Sequence, residues 1–150
     1  MDYKREFDVS LSLGEQGEKW IENLIRGDGD TTFEVKTDLQ AFDTGNIYLE
    51  ETSWGKPSGI NVTTADYWVF NVVRVPHKDG ATRTEKVKDY KNYKLNNDDI
   101  VSSVIVKTSR LLEIKDSYAI RSGGDYNSSN GRLIPIKDLS YGSKNNSRSI

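Results

Sequence analysis

Seven consecutive residues, Tyr67-Trp68-Val69-Phe70-Asn71-Val72-Val73, form a mostly apolar run that is too short for a typical helix. A run of this kind reads as a strand covered on both faces, which requires a sheet with further layers around it. Other segments supply that sheet. Thr32–Asp38 alternates, with Phe33 and Val35 on one face and Glu34, Lys36 and Asp38 on the other. Asn46–Glu51 follows the turn signal Asp43-Thr44-Gly45, and an antiparallel hairpin between these two strands is expected. Val101–Val106 and Arg132–Ile136 read as further strands, with Pro135 suited to an edge.

Helices are expected beside the strands. Ser12-Leu13-Gly14-Glu15 fits a capping box, Leu13, Trp20, Ile21, Leu24 and Ile25 share one helical face, and Gly27 can close the helix. Thr108 is expected to cap a short helix through Leu111 and Ile114. The tail from Gly142 is rich in Ser and Asn and is expected to fray. The pattern predicts a single α/β domain over residues 1–150, with a central mixed β-sheet flanked by helices.

Composition narrows the chemistry. The chain has no cysteine, which excludes disulfides, thiol catalysis and thiolate metal sites. Its one histidine, His77, lies beside Pro76 and Lys78-Asp79-Gly80 and reads as a solvated turn residue, so a Ser-His-Asp triad or His-rich zinc site is not expected. Any metal must therefore be held by carboxylates, which favours Mg²⁺ or Mn²⁺. The formal charge of −2 argues mildly against nucleic-acid binding. Its distribution points the other way. Residues 1–50 carry five basic and twelve acidic side chains, and the remainder carries sixteen basic and eleven acidic ones. That asymmetry suits an acidic metal site beside a basic surface, and equally a chance clustering of surface charge. There is no apolar run long enough to span a bilayer and no apolar stretch typical of a signal peptide near the start, so a cytoplasmic protein is expected.

The central feature is the row Glu34, Lys36 and Asp38 on one strand face. The expected hairpin would set Glu50 across from Glu34, and a divalent cation or an ammonium would offset the repulsion. Carboxylates holding Mg²⁺ against a phosphate oxygen, with a lysine orienting or deprotonating water, suit phosphodiester hydrolysis. A solvated sheet face is the plain reading of any isolated Glu-x-Lys.

Six blocks bear on this choice: Gly17-Glu18-Lys19-Trp20, Glu34-Val35-Lys36-Thr37-Asp38, Thr44-Gly45-Asn46-Ile47-Tyr48-Leu49-Glu50, Gly55-Lys56-Pro57-Ser58-Gly59-Ile60, Ala65-Asp66-Tyr67-Trp68 and Gly123-Gly124-Asp125. In this order the chain resembles the PD-(D/E)XK (restriction-endonuclease-like) nuclease superfamily, and within it small phage-type nucleases. The resemblance implies a restriction-endonuclease-like mixed sheet, DNA as substrate and Mg²⁺ (or Mn²⁺) as cofactor. It places the protein in the host cytoplasm if phage-encoded, and brings in homodimerisation by analogy. Two assignments stay open. In one, Glu34 and Lys36 form the acid-x-Lys pair, and Asp30 or a helix glutamate supplies the other acid. In the other, Asp38 and Glu50 are the successive metal-binding acids, Thr52 stands where a lysine is usual, and Lys36 serves from the neighbouring strand. Related nucleases carry a first-helix glutamate that reaches the metal, a role that falls to Glu18.

The catalytic candidates are thus Lys36, Glu34 and Glu18, with Glu34, Asp38 and Glu50 as metal ligands. Lys56 and Ser58, in a Gly-rich loop, are candidates for phosphate contact, although an ordinary turn explains them as well. Lys86, Lys88 and Lys91, interleaved with Tyr90 and Tyr93, are candidates for DNA binding or for a solvated insertion. Gly123-Gly124-Asp125 lacks nucleotide-binding glycine spacing and reads as a tight turn. The rival reading is a catalytically inactive nuclease-like module that binds DNA or protein.

Overall fold

The structure is a computed structural model. It describes residues 19, 22, 25, 26, 29–123 and 125–140, with only the backbone of 90–92 and 125. The chain divides into two compact units, Met1–Thr32 and Phe33–Ile150. In the first unit Lys19, Glu22, Ile25 and Arg26 are helical, as expected, and Ile25, assigned to the apolar face, is exposed. The expected caps at Ser12 and Gly27, and the tail from Gly142, lie outside the described residues.

The second unit is an α/β fold with two sheets. The first sheet has the order β1-β4-β5, formed by Phe33–Asp38 (β1), Tyr67–Val73 (β4) and Ile100–Lys107 (β5). β1 runs parallel to β4, and β4 antiparallel to β5, so this sheet is mixed. The apolar run takes the central position. Trp68, Phe70 and Val72 are buried on one face, whereas Tyr67, Val69 and Asn71 on the other face are only half-buried. The cover expected on both faces of the apolar run is complete on one face; on the other, only Val73, past a register shift, is buried.

The second sheet is antiparallel, in the order β3-β2-β7-β6. It comprises Asn46–Ser53 (β2), Lys56–Pro57 (β3), Ile120–Gly123 (β6) and Ser129–Pro135 (β7). The expected hairpin between β1 and β2 is thus overturned. Residues 39–45 do not form a hairpin turn. Ala41–Thr44 forms a one-turn helix (α1), closed by Gly45 at φ 73°. Asp38 sets this turn up, its Oδ1 accepting the backbone N–H groups of Gln40 and Ala41 at 2.9 Å each. The helical turn sends the chain into the other sheet, and β1 is left to pair with the apolar β4. Glu50 consequently lies opposite Gly131 of β7, not opposite Glu34.

Between the sheets, Trp68, Phe70 and Val106 meet Ile47, Leu49 and Ile134. The helix Thr108–Ile114 (α3) adds Leu111 and Ile114. Thr108 opens this helix but does not cap it. Its hydroxyl donates to the Ala65 carbonyl at 2.5 Å, tying α3 to the chain two residues before β4. Pro135 lies at the end of β7, beyond the last β6 pair at Arg132, so its missing N–H faces no second neighbour although β7 is an interior strand.

Glu51, on which the sequence reading placed no role, is buried at a bulge in β2 between Glu50 and Thr52. Its Oε1 meets Lys115 Nζ at 2.8 Å and Arg132 Nε at 3.2 Å. Arg132 also donates to the Tyr118 carbonyl at 2.6 Å, and the Tyr118 hydroxyl donates to Asp138 at 2.9 Å. Burial, reinforced by that bond to Asp138, pushes the Tyr118 phenol up to about 12. Close approach at Gly131 fixes the same strands. A Cβ there would strike the Leu49 carbonyl oxygen and come 2.8 Å from the Tyr48 ring. Gly131→Ala is expected to cost about 1–3 kcal/mol, read as a lower denaturant midpoint with an unchanged m-value.

Arg83–Asn92 (α2) was not legible as a helix among its many charges, although Thr82-x-x-Glu85 is its capping box. Both halves of the box are made. His77, expected to be solvated, instead sets its Nδ1 2.9 Å from Asp89 of α2. No helix among the described residues is long and apolar enough to cross a membrane.

Candidate active site

β1 alternates as expected, and the face that turns toward the core is the charged one. Glu34 and Lys36 stand beside Trp68 and Phe70 in the register, and Asp38 beside Val72, so the charged row shares the core-facing side of the sheet. Phe33 and Val35 share the outer side, where the Phe33 ring stacks on Tyr67 at 5.8 Å and Val35 is exposed. An edge strand that turns charges toward the core leaves them at the mouth of a cleft.

That cleft has a volume of about 900 Å³. Lys36, Asp38, Tyr48, Glu50 and Trp68 line it, and they come from both sheets. Arg83, Lys86 and Arg121 add positive charge around it. Asp38 is anchored by α1 through Oδ1 and reaches β2 through Oδ2, which accepts the Tyr48 N–H at 3.3 Å. Glu50 stands two residues further along β2 on the face that carries Tyr48, an advance of about 7 Å. The Ser58 hydroxyl donates to Glu50 Oε1. Gly59, at φ 54°, brings this loop so close that a Cβ would strike the Glu50 carbonyl. Ser58→Ala is therefore expected to loosen Glu50, with a drop of about 1 kcal/mol in stability, measurable by calorimetry.

Lys36 Nζ pairs with Glu34 at 2.9 Å and lies 5.6 Å from the centroid of the Trp68 ring. Glu34 does not line the cleft, so its carboxylate positions the lysine. Lys86 meets Asp43 at 3.1 Å on the rim. Lys56 is exposed on β3 and does not line the cleft, and Lys88 is exposed on α2. Asp30 is exposed in the other unit, while Glu18 and the Lys91 side chain lie outside the described residues.

Sequence reading missed three residues here. Tyr48 lies in a quoted block but received no role; its hydroxyl is 2.8 Å from Ser129 Oγ, and burial, with smaller contributions from Glu50 and Glu51, raises its pKa. Arg121 sits on β6, a strand too short to show a pattern. Arg83 stood in the charged stretch with nothing to single it out.

The described residues contain no cluster of three or more carboxylate or histidine side chains able to hold a metal ion. Asp38 and Glu50 line the same cleft. Mg²⁺ is commonly held by one or two carboxylates with water and substrate phosphate completing its shell, which is the chemistry these two oxygen donors could supply. The fold and cleft define an α/β protein with an acid-and-lysine site between two sheets. No family model, curated protein or solved structure matches the chain.

Proposed function

We propose that the protein is a restriction-endonuclease-like, Mg²⁺-dependent DNA endonuclease acting in the cleft between β1 and β2. The observation that carries this reading is the convergence of Lys36, Asp38 and Glu50 on one cleft with Arg83, Lys86 and Arg121 around it. Asp38 and Glu50 would hold the cation, which when bound stabilises charge on the attacked phosphate. Glu34 holds Lys36 as a fixed ammonium that orients water or meets a phosphate oxygen. Arg83, Arg121 and a Lys86 released from Asp43 neutralise the DNA backbone. Mn²⁺ would fit the same oxygen ligands. Homodimerisation would place a second site for the other strand, and sedimentation with and without DNA tests it.

The deciding experiment combines a thermal melt across a Mg²⁺ titration with cleavage of branched and linear DNA. Mg²⁺ should raise the melting temperature and support cutting, and Glu50→Ala should abolish the shift. No cutting of any DNA, with DNA still bound, sinks the enzyme reading. A binding module would then be favoured, for which the Asp38 carboxylate's commitment to three backbone N–H groups is the supporting observation.

A further inference from the structure

Two aromatic side chains stand in solvent at one end of the second sheet. Trp54 is 73% exposed and Tyr126 is 94% exposed. Both lie in the left-handed region, with φ of 51° and 57°. Trp54 and Gly55, at φ 75°, are the two central residues of the β2–β3 hairpin, where Asn-Gly or Gly-Gly is the usual choice. Tyr126 and Asn127, at φ 53°, repeat the pattern in the β6–β7 connection. A bulky residue in this conformation stores strain. With both rings in solvent, burial offers nothing to offset it.

The two turns are fastened together. Trp54 N–H donates to the Ser128 carbonyl at 2.7 Å. They also extend strands that wall the cleft. Glu50 precedes Trp54 by four residues on β2, about 13 Å along a strand. Arg121 and Ser122 of β6, which lead into the Tyr126 turn, line the cleft as well. Lys56, exposed, directly follows the Trp54-Gly55 turn and adds a positive charge to this end of the hairpin.

We propose that Trp54 and Tyr126 form a stacking platform for unpaired bases of a DNA strand whose backbone runs into the cleft. This inference rests on the nuclease reading of the cleft and specifies its substrate as DNA with an unpaired stretch. Flat rings held in solvent match the faces of any base, whatever the sequence. In a duplex those faces are already stacked on neighbouring pairs, so the platform selects single-stranded or branched DNA. Lys56 meets a phosphate of the same strand.

Glycine relieves strain at both positions while removing the ring, which separates binding from folding. The full-length protein, in EDTA, is titrated with an oligothymidylate and with a blunt duplex, and tryptophan emission and affinity are measured. The oligothymidylate should quench the emission, and Trp54→Phe, made in a Trp20→Phe background so that only the buried Trp68 remains, should remove that quench. Trp54→Gly and Tyr126→Gly should each weaken oligothymidylate binding about tenfold, with a smaller effect on the duplex and a thermal midpoint held or raised. Unchanged oligothymidylate affinity in both variants, or an equal loss for both DNA forms, overturns the platform while Mg²⁺-dependent cutting leaves the nuclease reading standing. A wild-type protein that binds neither DNA overturns both.

Discussion

Replacing Glu51 by alanine is expected to destabilise the protein by about 3–5 kcal/mol, the largest stability effect of any single change considered. The carboxylate is buried and holds Lys115 and Arg132 together. Removing it leaves two part-buried cations with only the exposed Asp116 carboxylate as counter-charge, at 3.1 Å from Lys115 and 3.4 Å from Arg132, a larger loss than that of the bonds alone. The melting temperature should fall by on the order of 10–20 °C. Glu51→Gln keeps the shape and one acceptor, and should fall between the two.

The same cluster sets a pH dependence. Burial raises the Glu51 pKa, but the hydrogen bonds and charges of Lys115 and Arg132 outweigh it, so the net folded-state value is below the ordinary one. Glu51 therefore contributes stability that is present above its unfolded pKa, about 4.3, and is lost as pH falls through the depressed folded value. The bond to Glu51 chiefly raises the Lys115 pKa, against burial. Its contribution is present below the unfolded value, about 10.4, and is lost as pH rises through the folded one. Denaturation at pH 7 and at pH 3 should show Glu51→Gln losing less stability on acidification than the wild type. An equal acid loss in both proteins would rule the cluster out as its source.

The second large effect is on activity. On the proposed nuclease reading, Glu50→Gln should slow Mg²⁺-dependent DNA cleavage by about a hundredfold or more. Gln keeps an acceptor for the Ser58 hydroxyl, so the metal-free melting temperature should stay within a few degrees of wild type. What it loses is the negative oxygen that would face the proposed cation. A variant that still cuts and still melts higher with Mg²⁺ would remove Glu50 from the site. The Ser58→Ala variant should fall between, because it leaves the charge in place and loosens its position.

Much of the architecture was legible. β1, β2, β4, β5, β7 and α3 appeared within a few residues of their observed bounds, because alternation and apolar runs are local patterns that survive into the fold. α2 had a local signal, the Thr82–Glu85 box, hidden by a helix polar on all faces. The four-residue β6 had none, since it owes its pairing to β7. Of the site, Lys36, Asp38 and Glu50 were picked out from sequence and line one cleft. The route expected to bring them together, a hairpin, is not the one the chain takes.

What the sequence determined by itself was which residues lie on each face of each strand, because side chains alternate at every residue whatever the strand pairs with. Which face of β1 turns toward the core was decided only in the tertiary structure. Apolar Phe33 and Val35 are oriented outward because β1 pairs with β4 in the register that sets Lys36 beside Phe70, and the one-turn helix after Asp38 removes β2 as a partner. The burial of Glu51 was likewise settled at long range. Alternation aims it inward with Ile47 and Leu49, and two cations distant in sequence, Lys115 and Arg132, made a charge tolerable there.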